Sequence, residues 1–268
     1  MADIVYPYSV DHQEFTGKRV LVTGGTKGIG AAMVRRFLLG GAKVALTARS
    51  PAASLPDAAL FVQADVGTAE GVAAVAERIR GEWGGLDILV DNVGASDTLP
   101  GGFEALPDEY WERMINVNLM SAIRLDRALI PAMVERKSGV VIHIGTVWHR
   151  LPQSNSYLAY STVKGALSSY SKGLAKAVAP DGVRVNMVSP GFIETEAATT
   201  LMGQVAAAQN ISLEEARQAI IAMGGGIPLG RTGKPEEIAE LVAFLASERG
   251  AFASGVDYFL DGGAFPAV

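Results

Sequence analysis

The sequence contains no cysteine. That excludes a disulfide framework, a thiolate metal site and a cysteine nucleophile. Histidine is nearly as scarce: His12, His143 and His149 make no metal-ligand constellation, so no metal is expected. A basic surplus is also missing. The 23 Lys and Arg against 28 Asp and Glu leave a net charge of −5, which argues against nucleic acid as a partner. No apolar run approaches the roughly 18 residues needed to span a bilayer. Val20-Leu21-Val22 and Leu86-Asp87-Ile88-Leu89-Val90 are representative. The stretch Met1-Ala2-Asp3-Ile4-Val5-Tyr6-Pro7 has neither a basic nor an apolar signal region. No signal peptide and no membrane association are therefore expected, and a cytoplasmic location is.

What the chain has in excess is glycine, 31 in 268 residues, against a usual share of about 7%. The glycines follow no collagen-like period, so they are expected at particular backbone positions. Short β-branched runs alternate with helical periods, which predicts an α/β fold with helices on both faces of a parallel sheet. Strands are predicted at Arg19–Thr23, Lys43–Thr47, Ala59–Gln63, Ile88–Asn92, Val140–Ile144, Val183–Val188 and Asp257–Leu260. Ile29, Met33, Val34, Phe37 and Leu38 form one apolar helix face; Val163, Leu167, Tyr170, Leu174 and Val178 form another. No repeat or linker divides the chain. We read a loose N-terminal arm at 1–16 and a single domain at 17–268. The segment at about 192–227 is long enough to be a functional insertion, a lid over the substrate. Within it Ser212-Leu213-Glu214-Glu215 is a capping box opening a helix to about Met223, and Gly224-Gly225-Gly226 would end and hinge it.

The first strand runs into Thr23-Gly24-Gly25-Thr26-Lys27-Gly28-Ile29-Gly30 and then directly into a helix. Glycines at such a turn let the backbone approach a pyrophosphate, and the amides and dipole of the helix N-terminus hold the anion. The G-x-x-x-G-x-G spacing alone is a weak signal, since a glycine-rich turn can be structural; its strand–turn–helix context favours a dinucleotide. Gly24, Thr26, Lys27, Gly28, Ile29 and Gly30 are the cofactor-binding candidates there. The second strand ends at Arg49, where an NAD-selective site would carry an acid for the ribose hydroxyls. Arg49 and Lys27 instead place two cations where a ribose phosphate would lie, so NADP(H) is expected over NAD(H). The bland alternative is two solvated surface cations.

Tyr160-Ser161-Thr162-Val163-Lys164 puts a phenol and an ammonium at i and i+4 of one helix. A neighbouring ammonium lowers a phenol's pKa from about 10. A tyrosine so tuned exchanges a proton with a carbonyl oxygen. Taken alone, the pair is also what a surface helix with one inward tyrosine would show.

Together these residues resemble the short-chain dehydrogenase/reductase family, from about Gly17 to Gly263. The likeness rests on Thr23-Gly24-x-x-x-Gly28-x-Gly30, Asp65-Val66, Asn92-Val93-Gly94, Asn118, Tyr160-x-x-x-Lys164 and Pro190-Gly191-Phe192-Ile193-Glu194-Thr195. Pro228-Leu229-Gly230-Arg231 and Asp261-Gly262-Gly263 extend it. The resemblance implies a single Rossmann-type domain with a doubly wound, seven-stranded parallel sheet, assembled as a homotetramer or homodimer. It implies that Asp65 and Val66 flank the adenine and that Asn92 and Gly94 line the middle of the cofactor. Pro190, Gly191, Ile193 and Thr195 would meet the nicotinamide end, with Lys164 on its ribose. It implies a catalytic set of Asn118, Thr146, Tyr160 and Lys164, with Asn118 holding a water. Thr146 stands where the family usually has serine, keeping the hydroxyl but adding a stiffening methyl; Ser154 and Ser156 are weaker candidates. Asp91 stands where the family usually has asparagine, a departure we read as structural.

Leu201, Met202, Val205, Leu213, Ile220 and Met223 of the insertion, with Trp148 and Leu151, would suit an apolar or aromatic small-molecule carbonyl or alcohol. His143 reads as a satisfied core histidine and His149 as a possible substrate contact. The expected function is NADP(H)-dependent interconversion of a carbonyl and an alcohol by direct hydride transfer. A β-ketoacyl-thioester reductase is the nearest alternative, and a non-catalytic dinucleotide-binding sensor or scaffold is the alternative of another class.

Overall fold

A computed structural model of the protein describes residues 6–51, 59–96, 102–152, 157–223 and 225–266. Seven strands among these residues build one sheet: β1 (Arg19–Thr23), β2 (Lys43–Ala48), β3 (Leu60–Gln63), β4 (Ile88–Asp91), β5 (Gly139–Ile144), β6 (Val183–Pro190) and β7 (Asp257–Leu260). Every pairing is parallel, in the order β3-β2-β1-β4-β5-β6-β7. The seven-stranded, doubly wound fold expected from the sequence is what forms. Predicted strand ends agree to within two residues. β6 runs on to Pro190 because Ser189 and Pro190 still have partners in Phe259 and Leu260.

The strands read as nearly continuous apolar runs because both faces of the sheet are covered. Alternation along β1 sends Val20 and Val22 to one face and Leu21 to the other. On the first face α1 (Gly28–Leu39) and α8 (Pro235–Ala246) bury Met33, Phe37, Ile238 and Val242. On the second, α2 (Ala69–Trp83), α4 (Ser121–Glu135) and α5 (Leu158–Val178) bury Val75, Ile79, Leu125, Met133 and Ala175. Strand order reverses between β1 and β4, and in sheets of this kind the crevice beyond the carboxyl ends of those strands takes the ligand.

The N-terminal segment is tied down where it is described. Phe15 is buried against Phe37, ring centroids 4.9 Å apart, and the Glu14 carboxylate bridges Arg36 and Arg249. The insertion holds two helices, α6 (Glu196–Gln209) and α7 (Leu213–Met223). The Ser212 capping box opens α7 as expected, Glu215 N donating to Ser212 Oγ at 3.2 Å. Helix α6 has no counterpart among the sequence expectations, although Thr195 caps it and Asn210 ends it in the left-handed conformation. Gly224 lies outside the described residues, as do Ser154 and Ser156. No helix among the described residues is long and apolar enough to cross a membrane.

Candidate active site

The glycine turn closes β1 onto α1. Gly24 adopts φ 65°, and a Cβ on Gly30 would lie 2.2 Å from the Gly24 carbonyl oxygen, so the helix meets the turn backbone to backbone. β4 holds the turn from the side. The Asn92 amide donates to the Thr23 carbonyl at 2.8 Å, and Thr23 Oγ1 accepts from the backbone of Asn92 and Val93. Lys27, at the N-cap of α1, offers the helix no side-chain cap, which leaves its leading amides available to an external anion. Lys27 and Arg49 are exposed and make no ion pair among the described residues; Thr26 and Ile29 are half-buried. One amide is engaged. Gly28 N donates to the carboxylate of Glu196, at the start of α6, at 3.0 Å.

The candidate catalytic groups gather at the carboxyl ends of β4 and β5. A cleft of about 240 Å³ there is lined by Thr146, Tyr160 and Lys164, by Asn92 and Gly94, and by Ile29, Pro190, Gly191, Ile193 and Thr195. A larger cavity of about 480 Å³, at the opposite ends of the strands beside Asp87 and Arg184, touches none of the candidates. Thr146 is buried; its Oγ1 accepts from Trp148 N at 3.4 Å, and it lines the cleft together with the Tyr160 phenol. Lys164 is buried and its Nζ donates to the Ile144 carbonyl at 2.8 Å. Asn118 sits in a π turn, Asn116–Met120, between α3 (Asp108–Ile115) and α4. Both its amide hydrogens are committed, to Ala95 O and Met114 O at 3.1 Å, while its Oδ1 accepts from Ala95 N at 3.0 Å. Any water on this residue must therefore be held by an oxygen.

The electrostatics differ from the simple expectation. Tyr160 is pushed up to about 12, chiefly by burial, with the Thr146 hydroxyl pulling the other way. The expected lowering by Lys164 is not seen, because that ammonium is turned to the Ile144 carbonyl. Lys164 is itself brought down to about 8 by burial, opposed by the charge of Asp91.

Several candidates take narrower places than expected. Val66 is buried in the second core layer. The Asp65 carboxylate accepts from Gly67 N at 2.9 Å and shapes the turn after β3. Gly191 is small because of Asp261, whose Cβ would be 2.7 Å from an added Cβ. Gly94 is small beside Asn118 and Lys164, whose Oδ1 and Nζ would be 3.1 and 3.4 Å from an added Cβ. Met202 is buried, while Leu201 and Leu213 are exposed. His149 is not free to meet substrate: its Nε2 bonds Asp257 at 2.8 Å and its ring stacks on Phe259. Glu196 and Asp257 carried no signal of their own in the sequence; only their partners across the fold reveal them.

The comparisons with known proteins agree with this geometry. A family model described as enoyl-(acyl carrier protein) reductase matches residues 24–264. The chain belongs to the short-chain dehydrogenase/reductase family. It is an oxidoreductase of the CH–OH/C=O class. The 3-oxoacyl-[acyl-carrier-protein] reductase FabG of Escherichia coli is 36% identical over 258 residues, covering 94% of this chain and 98% of the relative. The 3beta-hydroxysteroid dehydrogenase 1 of Eggerthella lenta is 33% identical, covering 94% and 95%. The L-sorbose reductase of Gluconobacter frateurii, solved with NADPH and L-sorbose, superposes with a TM-score of 0.87 at 32% identity, covering 96% of this chain and all of that one. A 3-ketoacyl-(acyl-carrier-protein) reductase from Brucella melitensis, solved with NADH, gives a TM-score of 0.80 at 32% identity, covering 93% and 99%. Short-chain dehydrogenases of similar shape thus take either nicotinamide cofactor.

Proposed function

We propose that this chain is an NADP(H)-dependent reductase of small apolar or aromatic carbonyl compounds, with Tyr160 as its general acid. The observation that carries the reading is the shared cleft: Thr146, Tyr160 and Lys164 line the same 240 Å³ as Asn92, Gly94 and Ile193, beside the glycine turn. The residues fit a dinucleotide. The Gly24–Gly30 contact leaves a cradle that a side chain would fill, and the leading amides of α1 carry no side-chain cap. Lys27 and Arg49 would take the ribose phosphate, Asp65 and Val66 the adenine, and Ile193 and Thr195 the nicotinamide end. When bound, the reduced nicotinamide supplies the hydride.

The chain's own residues handle the oxygen and the proton. Thr146 and Tyr160 donate hydrogen bonds to the substrate oxygen, polarising the carbonyl. A phenol held near 12 remains protonated throughout the neutral range and so is ready to donate. Once a phenolate forms on Tyr160, the Lys164 ammonium turns from the Ile144 carbonyl to stabilise it, and Asn118 keeps the Gly94–Ala95 segment in place beside it. In the reverse direction the phenolate is the required base, so alcohol oxidation should rise with pH.

Arg217 counts against a thioester carried on a phosphopantetheine arm. It is the clear cation of the lid, but it is paired with Glu194 at 2.7 Å and with Glu214 on its own helix, so both carboxylates already neutralise the charge a phosphate would need. The test is consumption of NADPH and NADH over a panel of ketones, quinones and acyl-thioesters, with Tyr160→Phe alongside. Turnover favouring NADPH and apolar ketones, lost in the variant while NADPH still binds, is expected. Faster turnover with NADH, or a variant retaining more than a few per cent of the rate, would overturn the corresponding assignment.

A further inference from the structure

Near Lys164, outside the lining of the cleft, three ionisable side chains from three elements meet in the core. Asp91 ends β4, His143 is its register partner on β5, and Asp126 comes from α4. All three are buried, at 4%, 0% and 2% exposure, and their ligating atoms lie within 4.8 Å of one another. His143 Nε2 is 3.1 Å from Asp126 Oδ2 and 3.8 Å from Asp91 Oδ2. From α5 the Tyr170 ring packs beside that of His143, centroids 5.9 Å apart, and the Lys164 ammonium, bonded to the Ile144 carbonyl, feels the charge of Asp91. Arg127 acts on Tyr170 from farther out. Both oxygens of Asp91 lack a hydrogen-bond donor.

A buried carboxylate without a donor is costly, and two buried carboxyls in contact do not both ionise. The partners decide which one holds the proton. Asp126 has a ring nitrogen of His143 at 3.1 Å, whereas both oxygens of Asp91 are left without a donor. Asp91 has only Asp126 and Lys164, and burial followed by the Asp126 charge holds its carboxyl well above the usual carboxylate range. A protonated Asp91 turns the unpartnered contact with Asp126 into a hydrogen bond. We infer that Asp91 and Asp126 share one proton near Lys164, and that the single negative charge they hold between them keeps Lys164 in its ammonium form. Asp91 is then a positioning residue, acting on Tyr160 chemistry only through Lys164. The same three side chains could ligate a cation, but the neighbouring ammonium and the His143–Asp126 hydrogen bond favour a proton.

The inference rests on the proposed roles of Tyr160 and Lys164, and its test separates the two. Infrared spectra of the free protein at neutral pH should show a protonated-carboxyl band that disappears in Asp91→Asn and in Asp126→Asn, since either leaves one ionised carboxylate. Tyr160→Phe should keep the band whatever its activity. In alcohol oxidation, each single variant preserves the one negative charge, so the pH midpoint should move by less than about half a unit. The double Asn variant removes the charge, and the midpoint should rise by about one unit or more, as expected for losing an opposite charge at short range. Absence of the band in the wild-type protein, or its persistence in both single variants, would overturn the inference. So would single variants that shift the midpoint as far as the double, a folded double variant with an unshifted midpoint, or stoichiometric divalent metal in the purified protein. If the double variant does not fold, the infrared comparison decides.

Discussion

The contact between Glu196 and Gly28 has a measurable consequence for cofactor affinity. The amide of Gly28 is among the first donors of α1, where the helix dipole favours an anion. Glu196 Oε2 occupies it at 3.0 Å. A dinucleotide pyrophosphate drawn to the same helix end must displace that carboxylate, and its charge then opposes the phosphates nearby. A hydrogen bond to a charged group contributes about 1.5–3 kcal/mol where sheltered. This one is exposed, so a value near 1 kcal/mol is appropriate. Glu196→Gln keeps the side chain's length and removes its charge, and NADPH should bind about fivefold more tightly. The gain should shrink as salt is added, because the opposing charges are solvent-facing. Titration calorimetry at low and high ionic strength measures both effects. Unchanged or weaker binding at low salt, in a variant that melts with the wild type, would refute the displacement argument.

Three further outcomes are expected. Lys164→Met should abolish turnover and remove a rise of wild-type stability with pH, since burial lowers the lysine from 10.5 to about 8. The sign follows from proton counts: between about pH 8 and 10.5 the unfolded chain binds more protons than the folded one, so wild-type stability climbs relative to the variant there. Melting curves at pH 7 and 10 measure this, and a variant that gains on the wild type as the pH rises would contradict it. Arg49→Asp should cost NADPH about 10–100-fold in affinity while sparing NADH, because repulsion replaces a charge-assisted hydrogen bond to the ribose phosphate; parallel titrations with the two cofactors would expose an equal weakening of both. Gly30→Ala places a methyl 2.2 Å from the Gly24 carbonyl and 2.7 Å from the Asn92 amide, so cofactor binding should disappear. Binding within tenfold of wild type would mean that the turn can open without penalty.

Residues at short range in the chain carried most of what could be read without a structure. The strand–helix alternation, the glycine turn, the Ser212 capping box and the Tyr160–Lys164 pair each depend on backbone geometry within a few residues, which local composition determines. Helix α6 was also within reach, through Thr195 at its N-cap and Asn210 at its end, but its weak apolar period concealed it. The direction of Lys164 was not legible. A four-residue spacing brings a lysine to a tyrosine's face without saying which carbonyl will claim its ammonium.

The remainder depends on sheet order. That β4 lies between β1 and β5 brings Asn92 to Thr23 and Asp91 to His143, residues about 70 and 50 positions apart in sequence. The return of β7 alongside β6 places Asp257 against His149, and α6 folds back to set Glu196 on the phosphate turn. A sequence by itself determines which residues can turn, cap or alternate. Burial then decides which charges must find a partner, and only the assembled core supplies that partner, because a carboxyl such as Asp91 changes its chemistry when water is replaced by Asp126, His143 and Lys164.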